Sequence, residues 1–296
     1  MLVVSRPSVL ASSRSFAARR DISGIVGFGS AIAATLISLG ALVSILGYLV
    51  IHGIGAINWA FLVHEPAAVG EAGGGIAPSI VGTAILVALA SVVGFPFGIG
   101  VGIYLSEFAR DSRFAHFTRL AINTFIGVPS IVAGIFVYFI LVKPTNTFSA
   151  VAGGLALGII MIPIMARTTE DVLVMVPDSI REAAFALGAP RWRVTMGVVL
   201  PAARAGVVTG GILAVARVAG ETAPLILTAL GNEYFPSGLF HPVDEITLRI
   251  LKYARGPYEV WHQQAYGAAL LLVVGVALGS LLLRITTRRG IVRSNE

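Results

Sequence analysis

Arg217 and Glu221 lie four residues apart inside a long apolar run. A guanidinium offers a planar fork of donors matched to the oxygens of phosphate or carboxylate. A charge within an apolar segment of membrane length marks a functional site by default. Two chemistries fit the pair. It can neutralise itself as an i,i+4 ion pair, in the weaker order with the cation first. Burying such a pair often gains nothing over apolar side chains. Alternatively the arginine receives an oxyanion. A carboxylate beside it then suits an anion that still carries a proton: hydrogen phosphate can donate a hydrogen bond to Glu221, and sulfate at neutral pH cannot. The second chemistry is the reading adopted here.

A second constellation is the polar stretch Ser179-Ile180-Arg181-Glu182-Ala183-Ala184-Phe185-Ala186-Leu187-Gly188, followed by Val198-Val199-Leu200-Pro201. Ser179 with Glu182 three residues on reads as a capping box. Gly188 suits the left-handed residue that closes a helix, and Pro190 prevents its continuation. A helix of two turns is marginal in water, so the rest of the chain or another subunit must hold it. Ala183 and Ala184 leave room for the close approach of a partner.

The elements that position these residues follow from composition. The chain has 296 residues, 56% hydrophobic and 12% charged, with a mean hydropathy of +0.88. Soluble domains carry about 25% charged residues. A spanning helix needs about 20 mostly apolar residues. That length places spans near 24–51, 79–106, 121–142, 149–166, 206–230 and 264–284, an all-α fold with six transmembrane helices. Residues 24–284 form one transmembrane domain between a tail, 1–23, and a second tail, 285–296. Gly94, Gly98 and Gly102 form a small-residue face, and Gly275 with Gly279 a shorter one, where helices can pack closely in lipid. Pro96, Pro129 and Pro163 should kink or break their spans. The outer loops 52–78 and 231–263 are expected to be lids or docking surfaces, too poor in apolar residues to be domains. Arg217, 11 residues into a span that enters near Gly206, falls about 16 Å deep, near the midplane.

Without cysteine there is no disulfide or thiolate site. The histidines at 52, 64, 116, 241 and 262 share no metal-ligand spacing, so no metal is expected. Net charge is +6, and its distribution is topological. Arg6, Arg14, Arg19 and Arg20, then Arg110, Arg113 and Arg119, then the 167–205 loop and Arg284 to Arg293, all fall on one side. Only Lys143, Arg249, Lys252 and Arg255 fall on the other. The positive-inside rule puts both termini and the 167–205 loop in the cytoplasm, and no nucleic-acid partner is needed. The serine-rich, acid-free Met1–Arg20 has the composition of a transit peptide. It is read here as a cytoplasmic tail, because the multispan body behind it accounts for the charge.

The stretch from Glu182 to Pro201 resembles the signature loop of ABC-importer permeases: Glu-Ala-Ala, three residues, Gly, nine residues, an aliphatic, any residue, Leu-Pro. That resemblance implies a type I ABC-importer (MetI-like) architecture. It makes 179–188 a cytoplasmic coupling helix that docks on an ATPase through Glu182, Ala183, Ala184 and Gly188. The segment Ala216-Arg217-Val218-Ala219-Gly220-Glu221-Thr222-Ala223-Pro224 is similar to the ARxxGETAP segment of phosphate ABC-transporter permeases of the PstA type. Gly74–Thr83 and Arg167-Thr168-Thr169-Glu170 agree with that family too. The resemblance implies that Arg217 and Glu221 serve phosphate transport, with Thr222 as a further hydroxyl donor. It also implies a heterodimer with a paralogous C-type permease, two cytoplasmic ATPase subunits and an extracytoplasmic phosphate-binding protein. The chain has no GxxxxGK[ST]. ATP and magnesium are expected on the partner ATPase, with no cofactor and no catalytic residue in this chain. Three alternatives remain: a permease for molybdate or sulfate, a proton-coupled secondary transporter, and, disfavoured for want of a nucleophile–base pair, a membrane enzyme.

Overall fold

The computed structural model describes residues 8–292 apart from 70 and 72. For 8–23, 25, 283, 284 and 286–292 it gives the backbone only, so the basic side chains expected in both tails lie outside the described residues. The chain is helical, with no strand among the described residues beyond two isolated bridges. In order the helices are α1 (Ser8–Gly53), α2 (Trp59–Val63), α3 (Ala77–Ile103), α4 (Arg113–Gly127), α5 (Ser130–Val137), α6 (Lys143–Thr145) and α7 (Ala150–Val174). There follow α8 (Asp178–Ala186), α9 (Arg191–Val194), α10 (Leu200–Val218), α11 (Ala223–Ile226), α12 (Ile246–Arg255) and α13 (Glu259–Val292). Three π-helical turns are threaded among them, at Tyr104–Phe108, Tyr138–Val142 and Thr195–Val199.

The chain divides into two compact units, 1–51 and 52–296, where the sequence suggests one domain from residue 24. The first unit is helical from Ser8, within the stretch expected as a tail. Among the described residues, five helical segments are long and apolar enough to cross a membrane. A sixth candidate is broken: Arg113–Gly127 and Ser130–Thr145 meet at 99°. The expected span 121–142 is therefore two segments. The break falls at Pro129, which disfavours helical backbone in the residue before it, and Val128 is extended at φ −71°, ψ 135°. Pro96 and Pro163 lie inside continuous helices.

The second unit is built on the packing of α3 against α7. A Cβ at Gly98 would come within 2.4 Å of the Met165 Cβ, and Gly94 and Gly102 meet Met161 and Thr169 in the same way. The glycine triplet is thus the contact face of α3. The Gly275–Gly279 pair meets nothing within 4 Å. The core between α3, α7 and α10 includes Leu86, Leu157, Met161, Met165, Ala214 and Leu225.

The two outer loops pack together. Phe61, Ile76, Ile246 and Tyr253 form a buried cluster with Ala265 and Ala268 of α13. α12 is strongly amphipathic and supplies one face of that cluster, so the loops hold more core than their composition suggests.

Candidate functional site

α10 runs to Val218 and stops, where the sequence pattern continues a span from 206 to 230. Its helix starts earlier than expected, at Arg191, so 205 is not a loop end; the link between α7 and that helix is only 175–190. The stop is written locally. Gly220 interrupts the helix, Pro224 forbids its resumption in register, and the last turn tightens through Gly220 N–H to Arg217 C=O (3.2 Å) and Glu221 N–H to Val218 C=O (3.1 Å). The returning segment is tied down on every side. Pro224 lies against Gly134 of α5, where a Cβ would sit 2.6 Å from the Pro224 Cα. Thr247 of α12 donates to the Glu221 carbonyl at 3.3 Å. The amides of Ser149, Ala150 and Val151 at the start of α7 donate to the carbonyls of Thr228, His241 and Leu239, completing a helix N-terminus that the Ser149 hydroxyl also caps by accepting from the Ala152 amide.

Arg217 therefore projects from a fixed helix end. Its guanidinium borders a cavity of about 400 Å³ whose walls include Phe125, Val128, Pro129, Phe136, Ile160 and Pro163. Ser130 is the other polar residue of that wall. Ile160 and Pro163 lie midway along α7, so Arg217 sits at mid-height of the bundle. The Arg217 side chain is 55% exposed, and its nearest approach to Glu221 is 3.9 Å. That is too long for a hydrogen bond, so Glu221 does not take up the donors of the half-exposed guanidinium. Glu221 is mostly buried, and Thr222 precedes α11 half-buried without a capping bond. Neither lines the cavity with Arg217. The structure brings Glu221 beside the arginine but leaves Thr222 as a neighbour along the chain.

At the other end lies α8. Its N-cap is Pro177 and no side chain caps it, so the expected Ser179–Glu182 capping box is not formed. Ser179 lies inside the first turn and Glu182 is exposed. Tertiary contacts replace the cap. Arg181, buried, binds Glu107 through Nη2–Oε1 (2.8 Å) and Nε–Oε2 (3.1 Å) and donates to the carbonyls of Leu173 (2.8 Å) and Val176 (2.5 Å). Glu182 and Ala183 face outward and Ala184 inward, against the cluster of Leu173, Val194 and Val199. Gly188 holds φ +77° after the last turn, the left-handed closure its type suggests. Around it Met175, Ile180, Phe185, Leu187, Trp192 and Met196 expose apolar surface.

Arg249 shows what the sequence conceals. Counted there as a charge outside the membrane, it is 1% exposed and binds Asp244 through Nε (2.8 Å) and Nη2 (2.7 Å). Ser79 donates to the same carboxylate oxygen (2.5 Å), and Arg249 lies over the Tyr253 ring at 5.3 Å. Glu245 caps α12, accepting from the amide and hydroxyl of Thr247. Burial pushes its carboxyl up to about 8, against the pull of those Thr247 donors. The signal available was the run Asp244-Glu245 with Arg249 and Tyr253 one turn apart, on a helix with one apolar face.

Residues 94–290 match the model of the family described as binding-protein-dependent transport system inner membrane component. The phosphate transport system permease protein PstA of Yersinia pestis is 41% identical over 253 residues, 86% of each chain. That of Xylella fastidiosa strain 9a5c is 43% identical, over 70% of this chain and 73% of its own. A chain of the MetNI methionine ABC transporter, solved in inward-facing conformations, superposes with a TM-score of 0.54 at 19% identity, covering 73% of this chain and 92% of that one.

Proposed function

The chain belongs to the family of binding-protein-dependent transport system inner membrane components, and we propose that it is the PstA-type membrane subunit of an ATP-driven importer of inorganic phosphate. The observation that carries this reading is the Arg217 guanidinium. It is fixed on a helix end at mid-height of the bundle, open to an apolar cavity, and 3.9 Å from the one carboxylate beside it. Apolar walls strengthen an anion's hold on such a donor. Glu221 favours an anion that can donate a proton, and thus hydrogen phosphate over sulfate or molybdate.

Thr222 is a hydroxyl donor that can join when the site closes. The apolar surface around α8, with Glu182, Ala183 and Gly188, suits docking on a cytoplasmic ATPase. With six spans, that reading has both termini in the cytoplasm as well. ATP and magnesium belong to that partner, two copies per complex. A C-type permease completes the path, and an extracytoplasmic binding protein delivers phosphate. ATP binding closes the ATPase pair, α8 moves with it, and the permease opens outward; hydrolysis returns it inward. This chain supplies the path and the coupling helix, and the partner supplies the catalysis.

The test is isolation of the membrane complex followed by reconstitution in liposomes. Co-purification of an ATPase and ATP-dependent phosphate uptake are expected. Uptake by the purified chain with no ATPase present defeats the reading in favour of a secondary transporter. Preference for sulfate or molybdate defeats the cargo assignment alone.

A further inference from the structure

We infer that the turn at 104–110 is the joint through which α8 moves the wall of the Arg217 cavity, with Glu107 and Arg119 as its positioning residues. This rests on the reading of α8 as the ATPase-coupling helix. Neither Glu107 nor Arg119 belongs to the constellations that sequence singles out.

The turn is gripped from two sides. From α8, Arg181 holds the Glu107 carboxylate with both of its oxygens, and the partners are nearly fully buried. Arg110 adds an exposed contact to Asp178 at 3.5 Å. From α4, Arg119 donates to the carbonyls of Leu105 (3.2 Å) and Arg110 (3.0 Å), the two ends of the same turn. Its Nε binds Glu170 of α7 at 2.6 Å. The turn is π-helical, closed by Ala109 N–H to Tyr104 C=O, a geometry frequent at functional sites. Apolar packing completes the joint: Leu105 and Ala109 meet Ala115 and Ile122 of α4 and Ala166 of α7.

α4 carries the motion onward. Phe125 lies six residues beyond Arg119, about 9 Å along the axis. Phe125, Ile126, Val128 and Pro129 are walls of the cavity that Arg217 borders. The break at Val128–Pro129 lets α4 tilt without dragging α5 rigidly with it. Glu170 holds Arg119 through one oxygen only, and its Oε2 has no hydrogen-bond partner, so the attachment to α7 can pivot. A displacement of α8 thus reaches the cavity through one buried ion pair, Arg119's two hydrogen bonds to the turn, and one helix.

The measurement is phosphate moved per ATP hydrolysed by the reconstituted complex. Arg119→Lys keeps the charge facing Glu170 but cannot span both carbonyls. Glu107→Gln keeps the shape and removes the charge. In each, ATP hydrolysis should stay within about twofold of the unmutated complex while phosphate per ATP falls about fivefold. A purely bracing role lowers both rates together and leaves the ratio unchanged, which overturns the inference. The chain contains no cysteine, so in a second measurement its only thiols are the engineered pair, Arg110→Cys with Asp178→Cys, bridged by a short bismaleimide. Because the two residues move as one body, transport should survive the bridge; its abolition overturns the joint. An unmutated complex that moves no phosphate on ATP overturns the functional reading and this inference with it, whereas a normal complex with an unchanged ratio in both variants overturns the joint alone.

Discussion

Arg217 and Arg249 both stand beside a carboxylate in a chain poor in charge, and the two pairs are built in opposite ways. Arg249 is 1% exposed, holds Asp244 with two nitrogens, and stacks on Tyr253. Arg217 is 55% exposed and reaches Glu221 only to 3.9 Å. A pair whose work is to join an outer loop to α3 spends every donor internally. A pair whose work is to meet an anion must keep its donors unspent. The difference separates bracing from binding by geometry, because both are arginine–carboxylate pairs.

The largest effect belongs to the braced pair. Arg249→Met strands the Asp244 carboxylate in the core and should lower stability by about 3–5 kcal/mol, read as thermal unfolding in detergent. Adding Asp244→Leu should restore most of the loss, because a buried pair replaced as a whole is often neutral. Recovery absent in the double variant breaks the distinction. The same region carries a pH signature. Glu245 titrates near 8 in the fold, raised by burial, and near the ordinary 4.5 when unfolded. The folded state therefore binds a proton that the unfolded chain lacks between those values. Its stabilisation is complete below about pH 4.5 and is lost as pH rises through about 8. Unfolding temperature should fall across that window, and Glu245→Gln should flatten the fall.

The open pair should respond in the other currency. Arg217→Ala removes a charge-assisted donor set from the anion and should lower phosphate uptake about 100-fold, consistent with hydrogen bonds to charged groups of about 1.5–3 kcal/mol. Unfolding temperature should fall little, since Arg217 makes no hydrogen bond to Glu221 that its loss would break. Arg217→Lys should recover only part of the uptake, as a point charge without the fork. A drop in stability equal to that of Arg249→Met would erase the difference between the two pairs.

Much of this was legible in the chain, and the misses have physical causes. The apolar blocks, the glycine face of α3 and the closure at Gly188 are local or periodic features, which sequence carries directly. Arg217 and Glu221 were legible because a charge in an apolar run is conspicuous. Arg249 was not, because its burial depends on α12 docking against α3, which brings Ser79 to the Asp244 carboxylate that Arg249 holds. The capping box at Ser179 lost to a tertiary contact: Arg181, bound to Glu107 and to the carbonyls of Leu173 and Val176, fixes the helix start better than Glu182 could. Pro129 broke its span where Pro96 and Pro163 did not, although all three share the same local chemistry. Val128 took the extended conformation that lets the chain turn by 99° there.

The smallest and most discriminating effect concerns Glu221. Its contact with Arg217 is too long to brace the helix, and its carbonyl, not its carboxylate, is what Thr247 holds. Glu221→Gln should therefore leave stability within about 0.5 kcal/mol of the native chain. If the carboxylate accepts the proton of hydrogen phosphate, the amide loses most of its power to reject a protonless anion. Selectivity for phosphate over sulfate should then fall about tenfold with uptake itself less affected, since discrimination of this kind comes from an unpaired charge set against the wrong ligand. Competition of sulfate with labelled phosphate in liposomes reads the ratio. A variant with unchanged uptake and unchanged selectivity would make Glu221 a mere counter-ion, and the contrast between an open pair and a braced one would then rest on Arg217 alone.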